Sequence, residues 1–152
     1  MNNNAHATEQ SCQHSLQQLV QFFETISPDS VQRIPDIYST DAYFKDPFNE
    51  VRGVEAVKKI FAHMFVQVEA PRFIVTNTVL QGDQAFLCWE FIFRFRRFSN
   101  EEQCVRGVTH FRFDSDGKVS MHRDYWDAAE ELYEKLPVLR HLMRWLRRTA
   151  NQ

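Results

Sequence analysis

Gln103 to Phe113 (QCVRGVTHFRF), Asp114 to Gly117 (DSDG) and Lys118 to Trp126 (KVSMHRDYW) follow one another without a break, and their reading decides the fold. Polar and apolar side chains alternate on both sides of a short turn in which Gly117 supplies a positive φ, the pattern of a long antiparallel hairpin. In the first strand Thr109, Phe111 and Phe113 share one face, and His110 and Arg112 the other. In the second, Ser120, His122, Asp124 and Trp126 share a face, with Val119, Met121, Arg123 and Tyr125 opposite.

The same period of two extends upstream. Ala85 to Phe98 sets Leu87, Trp89, Phe91, Phe93 and Phe95 against Phe86, Cys88, Glu90 and Ile92; Arg72 to Leu80 alternates as well. Turns fall at Gln81-Gly82-Asp83 and Ser99-Asn100-Glu101. Glu90, an acid in an apolar run, marks either an inward carboxylate or a bulge. Before Pro71 the period becomes helical: Val54, Val57, Ile60, Phe61, Met64, Phe65 and Val68 form one stripe behind Gly53.

A short strand, Ala42 to Phe44, runs into Lys45-Asp46-Pro47-Phe48. Earlier still, Leu16, Leu19, Val20, Phe23 and Ile26 predict a helix from Ser15. Pro28 then opens a short helix reaching about Ile34, because Pro35 disfavours helical geometry in the residue before it. Downstream, Asp127 caps a helix carrying Leu132, Tyr133 and Leu136; Pro137 interrupts, and Val138 to Arg148 forms the last helix.

Helices, a meander of antiparallel strands and helices again define an α+β domain with a curved sheet wrapped around N-terminal helices. Such a cone leaves an apolar pocket between the layers. The predicted divisions are a disordered or frayed tail over 1–14, one domain over 15–127, and a C-terminal helical extension over 128–152 packed on it.

Composition narrows the function. The 152 residues suit one core, 43% are hydrophobic, and 14 Phe are enough to build that core and still line a cavity. A net charge of −2 exerts no general pull on nucleic acid. Phe93-Arg94-Phe95-Arg96-Arg97-Phe98 interleaves rings and cations, but alternation makes it one strand with a core face and a solvated face. Cys12, Cys88 and Cys104 match neither a disulfide framework nor a metal motif, and suit a reducing compartment. The N-terminal residues lack the basic start and apolar stretch of a signal peptide, and no run approaches the roughly 20 apolar residues of a membrane span. A cytoplasmic protein without nucleic-acid or membrane partners is expected. No metal spacing, nucleophile elbow or glycine-rich phosphate loop is present in the sequence, so no cofactor or metal is expected.

Two acids invite a chemical reading. Asp46 sits among Tyr43, Phe44 and Phe48 in an Asp-Pro step; rings around a carboxylate favour its basic role, whereas Asp-Pro also simply begins turns. His122 and Asp124 are same-face neighbours able to share a proton, or else a polar pair solvating a strand.

Tyr43-Phe44-Lys45-Asp46-Pro47, Gly53-Val54-Glu55-Ala56-Val57 opening a helix, and Thr109-His110-Phe111-Arg112-Phe113 followed by Gly117-Lys118-Val119 resemble the nuclear transport factor 2-like (NTF2-like) superfamily in its SnoaL-like and ketosteroid isomerase-like branch. The resemblance spans about Leu16 to Asp127. It implies a cone-shaped α+β fold, a deep apolar pocket and a homodimer built on the sheet. It also implies that Asp46 matches the isomerase base, and that Phe23 and Thr109 occupy the oxyanion positions, Phe23 without a donor and Thr109 with a neutral hydroxyl. Asp124 matches the acid/base aspartate of SnoaL-like cyclases, with His122 beside it. Arg123 is expected on the opposite face, unlike the Asp-Arg-Asp arrangement of limonene epoxide hydrolases.

The combined expectation is general acid/base chemistry (isomerisation, cyclisation or related proton transfer) on a small hydrophobic carbonyl or ring compound. Asp46 or Asp124 moves the proton, His122 assists, and Phe23, Phe48, Glu90, Thr109, Phe111 and Trp126 hold the substrate. The alternative is a non-catalytic module binding a small ligand or a protein.

Overall fold

Cys12, Leu16, Leu19 and Phe23 recur on one side of the first helix, and this stripe seats it on the sheet. The computed structural model describes residues 3–96 and 99–132. Helix α1 (Asn3–Glu24) starts well before Ser15, where a tail was expected. Polarity alone conceals the docking of the turn from Cys12 to Ser15: Cys12 is buried, and a Cβ at Gly117 would lie 2.7 Å from Ser15 Oγ. Helix α2 (Pro28–Val31) is closed by a reciprocal cap, in which Ser30 N donates to Ser27 Oγ at 3.0 Å and Ser27 N to Ser30 Oγ at 2.8 Å. Pro35 does not end a helix. It opens α3 (Ile34–Ile37), in a first turn that needs no proline N–H.

Strand β1 (Tyr38–Lys45) is longer than its apolar signal, and β2 (Glu50–Arg52) folds back on it, a hairpin too short and polar to register in the pattern. Helix α4 (Val54–Gln67) gives way at once to β3 (Val68–Gln81), so Pro71 lies inside a strand. The sheet tolerates it there because the register shifts between Glu69 and Arg72, and a proline without an N–H belongs at such a bulge. Strand β4 (Gln84–Phe95) ends short of the expected Phe98, and β5 (Ser99–Phe113) already includes Ser99 to Glu101, where a turn is expected. Strand β6 (Val119–Tyr125) follows the Asp114–Gly117 turn, with Gly117 at φ +76° as expected. Asp127 caps α5 (Ala128–Glu131), accepting from Ala129 N at 2.9 Å and Glu130 N at 3.1 Å. The helix expected over Val138 to Arg148 lies outside the described residues.

The six strands run in the order β2-β1-β6-β5-β4-β3; all neighbours are antiparallel except β1 and β6, which are parallel. The result is the expected α+β architecture, a curved, unclosed sheet holding the N-terminal helices in its hollow. The register pairs Phe111 with His122 and Thr109 with Asp124. A shift between Arg112 and Phe113 lets Val119 point inward along with His122, correcting the strict alternation that set them on opposite faces. Leu19, Val57 and Val119 have no exposure, and each buried side chain of this kind contributes roughly 1.5–3 kcal/mol. Among the described residues no helix is long and apolar enough to cross a membrane.

Candidate functional site

The hollow between α1, α4 and the inner sheet face contains a cavity of about 700 Å³. Phe23, Phe61, Phe73, Phe91 and Phe111 are among its walls, so alternation in β4 and β5 converts directly into an apolar lining. Inside it lies one connected set of polar groups, contributed by β1, β4, β5 and β6.

His122 is 2% exposed and enclosed by the rings of Phe23, Phe44, Phe61 and Phe111 at centroid distances of 4.6–6.0 Å. Its Nε2 lies 2.8 Å from Asp124 Oδ1, and its Nδ1 lies 2.8 Å from Tyr38 Oη. Thr109 Oγ1 donates to the same Asp124 Oδ1 at 2.5 Å and accepts from Trp89 Nε1 at 2.8 Å.

Donor chemistry fixes the direction of each link. An indole N–H only donates, so the Thr109 hydroxyl accepts from Trp89 and sends its own hydrogen to Asp124. A carboxylate only accepts, so His122 carries its hydrogen on Nε2; in the neutral ring Nδ1 is then bare and takes the Tyr38 hydrogen. Burial, and then the charge of Asp124, push the Tyr38 phenol well above its ordinary pKa and keep it a hydrogen donor. Asp124 Oδ1 is held by two donors. Its Oδ2 has no hydrogen-bond partner among the described residues, although the side chain is only 17% exposed and lines the cavity.

The other expected site residues fall differently. Asp46 reaches the cavity wall, but its Oδ1 accepts from Phe48 N at 2.7 Å and from Asn49 N at 2.5 Å, and Asn49 Nδ2 reaches Oδ2 at 3.0 Å. Its carboxylate is bound into its own turn, as the Asp-Pro alternative reading has it. Glu90 is on the outer face, 3.5 Å from Arg106 in the facing strand, and does not line the cavity; it marks neither an inward acid nor a bulge in β4. Phe23, Thr109 and Phe111 are buried in the wall. Phe48, 53% exposed, meets Trp126 edge-on at 5.5 Å at the opening. Arg123 lies over Tyr125 on the outer face, opposite Asp124 as expected.

Tyr38 and Gly107 were not legible as site residues. Tyr38 gave no motif. Gly107, isolated in a strand pattern, did carry a signal, since glycine there marks a close approach. A Cβ on Gly107 would lie 2.4 Å from Trp89 Cζ2.

Residues 19–122 match the model of the SnoaL-like domain, and the chain belongs to that family. Solved structures agree on the fold. A protein of ketosteroid isomerase-like fold from Catenulispora acidiphila is 14% identical, covering 81% of this chain and 93% of its own with a TM-score of 0.68. An LEH-like epoxide hydrolase from M. tuberculosis is 13% identical, with coverages of 89% and 91% and a TM-score of 0.65. A protein described as a SnoaL-like polyketide cyclase from Jannaschia is 17% identical, with coverages of 81% and 90% and a TM-score of 0.64. No curated protein matches the sequence.

Proposed function

We propose that the cavity binds a small hydrophobic carbonyl or ring compound and that Asp124 moves a proton on it, in an isomerisation, cyclisation or related transfer. The observation that supports this is the asymmetry of one carboxylate lining an apolar hollow: Asp124 Oδ1 is fixed by His122 and Thr109, while Oδ2 has no partner among the described residues. Oδ2 takes a proton from a carbon beside the carbonyl, and the electron pair moves onto the carbonyl oxygen. Returning a proton from the carboxyl to carbon completes the reaction without an oxidant or a cofactor, and a carboxyl that trades its hydrogen with solvent before the return carries solvent label to that carbon. The two donors on Oδ1 hold the carboxylate plane, and His122, fixed by Tyr38, keeps its Nε2–H on Asp124 throughout.

A deuterium-exchange assay tests this while the natural substrate is still unidentified. The protein is incubated in heavy water with a panel of small apolar ketones and enones, and label gained beside the carbonyl is read by mass spectrometry. Asp124→Asn should lower that exchange about 10²–10⁴-fold. Exchange unaltered in Asp124→Asn overturns the assignment, and ligand bound without exchange makes the cavity a binding module.

A further inference from the structure

Four charged or titratable side chains besides His122 line the cavity, and they are distributed unevenly. Asp124 is only 17% exposed, and Asp46 is half-buried, whereas Lys59 and His63 are exposed and one turn apart on α4. Among the described residues neither Lys59 nor His63 has a hydrogen-bonding or ion-pair partner, and the nearby helix acid Glu55 faces Lys58 at 3.9 Å instead. Asp46 is the one acid beside them, and its carboxylate is bound by the amides of its own turn.

Beside Asp124 a carboxylate head finds no free donor among the described residues: Trp89 is engaged with Thr109, Thr109 and His122 with Asp124, and Tyr38 with His122. Asp124 also repels negative charge. A ligand carrying a carboxylate therefore has one favourable orientation, with its apolar body in the hollow and its head at Lys59 and His63, which have no partner among the described residues.

Resting on the proposed function, we infer that the ligand is an amphipathic carboxylate whose head is met by Lys59 and His63. Its reacting carbonyl or ring is then on the apolar body, beside Asp124. This sets the polarity of binding as well as the class of ligand.

Binding of decanoate and of 1-decanol, read through the fluorescence of Trp89 and Trp126 in the cavity wall, tests the inference. The measured quantity is the acid-to-alcohol affinity ratio in the wild type and in the Lys59→Gln/His63→Gln double variant, both substitutions being at exposed positions. The ratio should fall about fivefold in the variant at low salt, the upper range for an exposed charge pair. Both probes binding with a ratio that the substitutions do not move overturns the inference and leaves Asp124 and its cavity untouched. Failure of both probes to bind overturns the inference and the proposed cavity function together.

Discussion

The indole of Trp89 lies across the backbone of Gly107, close enough that a Cβ there would sit 2.4 Å from Cζ2 and 2.5 Å from Cη2. That contact positions Nε1 for its 2.8 Å bond to Thr109, and Thr109 in turn holds Asp124. A glycine with no side-chain chemistry thus sets the aim of the carboxylate. Gly107→Ala should displace the ring and destabilise the fold by about 1–3 kcal/mol, as overpacking does, measured by urea unfolding. Deuterium exchange should fall in the same variant; a variant of wild-type stability and exchange contradicts the positioning role.

Asp46 and Asp124 both line the cavity, but asparagine separates their roles. At Asp46 both backbone bonds go to Oδ1, and an asparagine oxygen still accepts them, with only the bond from the Asn49 amide to Oδ2 lost. Asp46→Asn should therefore change exchange less than threefold, while Asp46→Ala costs about 1 kcal/mol of stability from the lost turn bonds. A hundredfold loss of exchange in Asp46→Asn would restore Asp46 as the base.

The strands and α4 were legible because period carries the information: Thr109, Phe111 and Phe113 point inward as alternation requires, and so do Leu87 and Trp89. What failed was local. The bulge beside Phe113 and the proline inside β3 break alternation, and both depend on a neighbouring strand's register, which no single segment encodes. At the site, His122 and Asp124 were legible because they are two apart on one strand. Tyr38 was not, being 84 residues from His122 and joined to it only by the parallel pairing of β1 and β6. Glu90 was misread because its explanation, Arg106, is in the facing strand.

The outer sheet face exposes Ile74, Val79, Phe86 and Tyr125, which alternation places on the side away from the cavity. Phe86 stacks on His110 at 4.4 Å, and burial followed by the charges of Arg112 and Arg123 lowers the His110 pKa, favouring the neutral ring. We propose that the expected homodimer forms through this face, since grouped apolar side chains on a sheet surface mark association. Light scattering should give twice the chain mass for the wild type and the single mass for Phe86→Glu. A wild type that stays at the single mass at micromolar concentration refutes this.

Tyr38 makes the network sensitive to alkali. Its phenol, wholly buried beside Asp124, has its pKa raised well above 10.0, whereas in the unfolded chain it titrates near 10.0. Above pH 10 the unfolded state has released the proton and the folded state still holds it, so each further pH unit removes about 1.4 kcal/mol of stability until the folded pKa is passed. Below pH 10 both states are protonated and this contribution is constant. Tyr38→Phe removes the group, and urea unfolding should then show a shallower decline above pH 10. The variant also leaves His122 Nδ1 without its donor in a buried ring cage, a cost of about 1–3 kcal/mol at neutral pH. The two effects have opposite signs on the alkaline limb, so the stability curves of wild type and variant should converge as pH rises. Parallel curves would mean that the Tyr38 hydroxyl is not the buried donor to His122.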